Sequence, residues 1–179
     1  KMVRIDRVHT GGGDTGESSL VDGSRRSKSD ARFSVVGDCD ELNSLLGVAR
    51  MECARVPMRH RDGGERKGAG RVHFICDSAL SRVQHELFDL GAELACPPEN
   101  LPDYMVLINE DKSNVLVSDM DAWLSQTEPL TSFILPAGGP PQAMLHHART
   151  VTRRLERNIV CLRDIEGEGS VRPLVLTYV

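Results

Sequence analysis

A chain of 179 residues with 40% apolar content is long enough for one hydrophobic core and too short to divide comfortably into two. Its 22 Lys and Arg against 26 Asp and Glu give a formal charge of −4, so there is no broad positive field to hold a polyanion, and no nucleic-acid partner is expected. No apolar run approaches the roughly 20 residues needed to cross a bilayer, and the first residues lack the apolar core of a secretory signal, so a soluble chain with no membrane partner is expected.

Aromatic residues make up only 4% of the chain while Leu, Ala and Val dominate, which favours helix-on-helix packing over a strand-rich sandwich. An all-α fold in a single domain, 1–179, is therefore expected. Cys39, Cys53, Cys76, Cys96 and Cys161 are odd in number and contain no CxxC pair. They read as small apolar residues on buried helix faces in a reducing compartment, not as a disulfide framework or a zinc site.

Residues 1–37 read as an extended N-terminal segment, rich in Gly, Ser, Thr, Asp and basic residues from Val8 to Asp30. Within it, Gly11-Gly12-Gly13-Asp14-Thr15-Gly16-Glu17-Ser18-Ser19 lacks the Gly-Lys-Ser/Thr ending of a Walker A loop. Taken alone it fits an ordinary mobile loop. It also fits a phosphate cradle, because glycines let backbone N–H groups close around an anion, Ser18 and Ser19 add hydroxyls, and Lys28 adds charge.

The pair Asp38 and Glu41 resembles a capping box and predicts a helix carrying Leu42, Leu45, Leu46, Ala49 and Cys53. Residues 59–71, Gly-rich and charged, read as a flexible connection. Ala79, Val83, Leu87, Leu90 and Leu94 predict a second helix from about Val72 to Ala95, closed by Pro97 and Pro98. A shorter helix is predicted from near Ser118 to before Pro129, with Trp123 and Leu124 facing inward. Three prolines and two glycines then stiffen the loop Phe133 to Pro141.

The segment Gln142 to Arg163 carries Leu145, Ala148, Val151, Thr152, Leu155, Ile159 and Leu162 at helical period, so it reads as a core helix. Arg149, Arg153 and Glu156, spaced four and three apart, fall together along one margin of that face. Guanidinium groups held there must be neutralised by carboxylates such as Asp40 and Glu156 or be reserved for an anionic ligand. Helix periodicity alone leaves both readings open.

No Glu-x-x-His element, Gly-x-Ser-x-Gly elbow or Cys/His pairing appears, so neither a protein-bound metal centre nor a hydrolytic nucleophile is expected. The loop from Glu166 to Ser170 is Gly-rich, and an apolar segment begins just before Val179.

In order, Thr10, Gly13-Asp14 and Gly16, Ser27-Lys28, Asp40-Glu41-Leu42-Asn43-Ser44, Phe88-Asp89-Leu90-Gly91-Ala92-Glu93-Leu94-Ala95, Phe133-Ile134-Leu135-Pro136, and Ala148-Arg149-Thr150-Val151-Thr152-Arg153-Arg154-Leu155-Glu156-Arg157 resemble the ATP:corrinoid adenosyltransferases of the propanediol-utilisation type. The likeness runs over nearly the whole chain.

The resemblance implies an up-and-down bundle of about five helices, assembled as a homotrimer, with ATP at a subunit interface beside the corrinoid. It implies transfer of the 5′-deoxyadenosyl group of ATP to Co(I) of a reduced cobalamin, giving adenosylcobalamin and triphosphate. The corrinoid itself supplies the nucleophile, which accounts for the missing catalytic dyad. Thr10, Gly13, Asp14, Gly16, Ser18 and Lys28 would surround the triphosphate, with Mg²⁺ spreading its charge. Arg153 and Glu156 would contact ATP, and Arg149 would pair with Asp40.

By the same resemblance Phe133 would press toward the lower corrin face and keep the axial base off cobalt, easing reduction of Co(II) to Co(I). A reductase and an adenosylcobalamin-dependent acceptor enzyme are implied partners. The compartment implied is the cytoplasm, or the mitochondrial matrix in a eukaryote. Gly11 and Thr15 stand where basic residues are common in the family, and Glu17 adds negative charge. Leu176-Thr177-Tyr178-Val179 resembles the start of the family's last helix, the rest of which is missing from the chain. The alternative to the enzyme is a non-catalytic helical module that binds or delivers corrinoid.

Overall fold

Asp30 sets the start of the first helix. Its side chain accepts the backbone N–H of Arg32 at 2.8 Å and so caps α1, Ala31–Ala54, in a computed structural model that describes residues 9–179. The predicted start at Asp38 is thus corrected by nearly two turns. Asp38 and Glu41 lie inside α1 and, instead of capping it, accept hydrogen bonds from Arg154. Val35, Cys39, Leu42, Leu46, Ala49 and Cys53, at alternating spacings of four and three, form the buried stripe of α1.

The second predicted helix is a continuous rod built of α2, Ala69–Ile75, a π-helical segment, Cys76–Leu80, and α3, Ser81–Leu94. α4 spans Glu110–Leu124 and is capped by Asn109, whose side-chain oxygen accepts the Lys112 N–H at 3.1 Å. It therefore begins two turns before the predicted Ser118. Leu124 is exposed and Trp123 only half-buried, against the expectation that both face inward. The polar residues Lys112 to Asn114 hide the first turns of α4 from a periodicity search.

α5, Pro140–Glu166, opens on two prolines, which suit a first turn whose N–H groups have no helical partner. It ends at Gly167, whose φ of 99° reverses the chain toward α6, Pro173–Tyr178. Counting α2 to α3 as one rod, the described residues form five helices. The all-α expectation needs one correction, a short antiparallel hairpin of β1, Glu17–Ser19, and β2, Arg25–Ser27. The extended reading of 1–37 thus gives way to a hairpin and the first turns of α1, while residues 1–8 lie outside the described residues. Residues 59–71 include turn hydrogen bonds, such as His60 N–H to the Gly64 carbonyl at 2.8 Å.

α1 packs against α3 and α5, and the buried faces of all three meet in one core that includes Val35, Leu42, Leu90, Leu155, Ile159 and Leu162. α1 and α5 run antiparallel. Arg32 at the start of α1 meets Glu166 at the end of α5, while Asp38, further along α1, meets Arg154 and Asn158. Cys39 lies in this core and donates to the Leu87 carbonyl at 3.2 Å, and burial pushes its thiol up to about 12. Cys96 is likewise buried and free, but Cys161 is exposed and Cys53 is disulfide-bonded, so the uniform reading of the cysteines does not hold. No helix of the described residues is long and apolar enough to cross a membrane.

Candidate functional site

The N-terminal loop and hairpin form one arm of the candidate site. Gly11 and Gly16 have φ of 68° and 85°, conformations that side chains disfavour, and they bend the loop so that Asp14 N–H reaches the Gly11 carbonyl and Gly16 N–H the Gly13 carbonyl. The Gly16 carbonyl then accepts the Lys28 N–H at 2.8 Å, which ties the loop to the residue just after β2. A Cβ on Gly13 would stand only 2.9 Å from Lys28 Nζ, so this glycine is what lets the ammonium lie against the loop. Thr10 and Asp14 are exposed in the same turn.

Strand alternation sorts the hairpin side chains onto two faces. Arg25 faces the glycine loop. Its Nη2 donates to the Gly12 carbonyl at 2.9 Å, and its Nε lies 3.4 Å from Glu17. The extra negative charge of Glu17 is therefore met by a neighbouring guanidinium. Ser18 pairs across the hairpin with Arg26 and is half-buried, so it shares the face of Arg26, which turns away from the glycine loop toward the bundle. Arg25 and Arg26 were not among the residues expected at the site. The basic run Ser24-Arg25-Arg26-Ser27-Lys28 carries the signal, but only a strand assignment tells which of its members face the loop.

The second arm is α5. Arg149, Arg153 and Glu156 are exposed on one side of it, and among the described residues none of the three forms an ion pair. The expected pairing of Arg149 with Asp40 is not made within the chain, and Asp40 is itself exposed on α1. The helix-to-helix ion pair belongs instead to Arg154, the next residue around α5, whose Nε donates to Asp38 at 2.8 Å and whose Nη2 reaches Glu41. Asn158 adds a 2.6 Å bond to the other Asp38 oxygen. Adjacent arginines are thus divided by helix geometry, Arg154 turned to α1 and Arg153 left open. Arg149 also edges an apolar cavity of about 370 Å³ between α1, α3, α4 and α5, lined by Leu42, Leu87, Trp123 and Leu155.

The third element is the loop between α4 and α5. Phe133 is fully exposed, with Leu130, Ile134 and Leu135 exposed beside it, so Phe133 is not a core aromatic. An unburied cluster of this kind suits contact with a large apolar ligand or a protein neighbour.

Within one chain these arms stand apart. Arg26 binds Glu166 at the end of α5, and Arg153 lies 13 residues earlier on the same helix, or about 20 Å at 1.5 Å per residue. Among the described residues no hydrogen bond or ion pair links the glycine loop to Arg149, Arg153 or Glu156. Chemically, one arm offers backbone N–H groups with Lys28 and Arg25, and the other offers two open guanidiniums with a carboxylate. Both suit polyphosphate. No group of three or more His, Cys, Asp and Glu among the described residues could hold a metal ion.

Comparison with known proteins agrees with this chemistry. The cobalamin adenosyltransferase family model matches residues 8–179. A corrinoid adenosyltransferase of Mycobacterium tuberculosis (strain ATCC 25618 / H37Rv) is 37% identical over 173 residues, 96% of this chain and 81% of that protein. One from Bacillus subtilis (strain 168) is 36% identical, covering 96% and 78%. A variant PduO-type ATP:corrinoid adenosyltransferase from Lactobacillus reuteri, complexed with cobalamin and ATP, superposes with a TM-score of 0.79 at 27% identity, covering 96% of this chain and 84% of that one. With the family model spanning all but the first seven residues, this chain belongs to the cobalamin adenosyltransferase family.

Proposed function

We propose that this chain transfers the 5′-deoxyadenosyl group of ATP to the cobalt of a reduced corrinoid. The electron pair of Co(I) forms the new Co–C bond at the 5′ carbon while the C–O bond breaks, and triphosphate leaves with that bond's electrons. The chain's own residues bind and orient both substrates, which is why no side-chain nucleophile is needed. The observation that carries the reading is the pair of cationic arms, a glycine loop against Lys28 and an open row of Arg149 and Arg153, in a chain of this family.

Triphosphate gathers negative charge as it departs, so donors already aimed at it lower the barrier. Lys28, the glycine-loop backbone and Arg153 take that role, with Thr10, Asp14, Gly16 and Glu156 as further ATP contacts; Ser18, on the bundle-facing side of the hairpin, is given no such contact. Mg²⁺ would reduce the charge of the nucleotide. The described carboxylates form no cage for it, so no step is assigned to a protein-held ion. Phe133, exposed on its loop, presses on the corrin and displaces the axial base.

The separation of about 20 Å between the arms along α5 supports a site shared between protomers, with the loop of one meeting the Arg153 face of the next. We assign a homotrimer with Arg149 and Asp40 paired across the interface. Reduction of cobalt to Co(I) needs an external electron donor, so a reductase must precede this step, and an adenosylcobalamin-dependent enzyme consumes the product. Anaerobic incubation with ATP, Mg²⁺ and Co(I) corrinoid tests the reading. Formation of the light-sensitive alkylcobalt spectrum is expected, and binding of corrinoid without conversion would instead identify a carrier.

A further inference from the structure

The hairpin that carries the glycine loop packs onto the bundle through a charged contact that the reaction chemistry does not call for. Arg26 in β2 donates from Nη1 to Glu166 Oε1 at 2.5 Å. The other oxygen of Glu166 accepts from Arg32 Nη2 at 2.6 Å and from Arg32 Nε at 2.9 Å. Arg32 is 1% exposed and is itself held by the carbonyls of Leu94, Cys96 and Ser170. One carboxylate at the end of α5 thus joins a rigid, buried guanidinium to a strand guanidinium. Arg26 also approaches Asp30, the cap of α1, at 3.4 Å.

This contact acts on the loop through two residues of chain. Lys28 follows Arg26 by two positions, its N–H holds the Gly16 carbonyl and its ammonium lies against Gly13. On the opposite face of the same strand, Arg25 holds the Gly12 carbonyl. Otherwise β1 and β2 are three residues each, too short a ribbon to be stable by itself. Its turn end is held separately, by the Val21 N–H on the Ala95 carbonyl at 3.0 Å, by Asn100 on Asp22 at 2.8 Å and by the buried Leu20, so it is the other end, leading into Lys28 and the glycine loop, whose position depends on what Arg26 grips.

We infer that Arg26 and Glu166 are positioning residues for ATP, a latch that fixes the hairpin on the bundle and so presets the glycine loop and Lys28 for the triphosphate. The inference rests on the proposed reaction for its substrate. Loss of the latch makes ATP binding pay for ordering the loop, while the chemistry at saturating ATP is untouched.

The test is Arg26→Gln, which leaves the buried Arg32 to Glu166 pair in place. The expected result is a KM for ATP raised about tenfold, with kcat within about twofold and KM for corrinoid unchanged, because preorganisation is lost and no transition-state contact is removed. Amide hydrogen exchange should quicken at residues 16–28 and stay slow in α1 and α5, and Arg26→Lys should recover part of the ATP affinity. A folded Arg26→Gln protein with parental KM for ATP, or one with faster hairpin exchange and unchanged KM, would overturn the latch. An inactive parent would instead strike the proposed reaction. Calorimetric ATP binding by parent and variant then decides the latch alone, with equal affinities refuting it.

Discussion

Replacing Arg32 by Met removes the most enclosed charge in the described residues while keeping a long side chain in its place. The wild-type guanidinium makes five hydrogen bonds, two to Glu166 and one each to the carbonyls of Leu94, Cys96 and Ser170. The variant strands three carbonyls and leaves Glu166, itself only 20% exposed, with Arg26 alone. Each lost bond to a carbonyl is worth about 1 kcal/mol net, and the ionic pair is worth more. Part of this returns, because the guanidinium no longer has to be stripped of water.

A loss of about 3–5 kcal/mol is the expected balance, in the range for breaking one side of a buried pair. At roughly 2–4 °C per kcal/mol for a domain of this size, Tm should fall by about 6–20 °C. Thermal melts followed by circular dichroism, with urea titrations to confirm an unchanged m-value, provide the measurement. A Tm within about 2 °C of the parent would refute the reasoning, since it would mean that the five bonds merely offset the cost of burying the charge.

Arg153→Ala should lower kcat/KM by about 10²–10³-fold with Tm nearly unchanged, since the side chain is exposed and unpaired within the chain; undiminished turnover would remove it from the site. Phe133→Ala should leave stability intact because the ring is fully exposed, and should slow the reaction from Co(II) at least about tenfold more than from Co(I). Equal slowing from both starting states would cancel its role at the axial face.

Cys39 predicts an alkaline weakness. Its folded thiol titrates near 12 against an ordinary 9.0, so its contribution is intact below 9.0 and is lost as pH rises through that window, at up to about 1.4 kcal/mol per pH unit. Burial and the Glu86 contact raise Tyr178 in the same direction, so the comparison is with Cys39→Ala, whose stability should decline less steeply. Parallel curves for parent and variant would count against the assignment.

Much of this protein could be read without coordinates. The repeating apolar positions of α5, from Ala148 through Leu162, are a property of the chain itself, because a helix of 3.6 residues per turn converts that spacing directly into one buried face. The motifs around Gly13, Asp40, Phe133 and Arg153 each left the chemistry open and pointed to it only together, through their resemblance to one family. What the spacing could not supply was direction and partnership. Arg153 and Arg154 are neighbours in the chain, yet only the packing of α5 on α1 decides that Arg154 meets Asp38 while Arg153 stays open.

The early start of α1 was missed because Ser34, Gly37 and Asp38 interrupt the apolar pattern, while the residue that caps it, Asp30, lies in a stretch that reads as loop. The hairpin was invisible for a related reason. Three-residue strands carry too little alternation to register, and theirs is stabilised by Glu166, 140 residues away from Arg26 in the chain. Local sequence determines which residues can form a helix face or bend at a glycine. Ion pairs between distant segments depend on how those elements pack, and here that packing decided that Arg154 and Arg32 hold the fold together while Arg149 and Arg153 stay open on the surface.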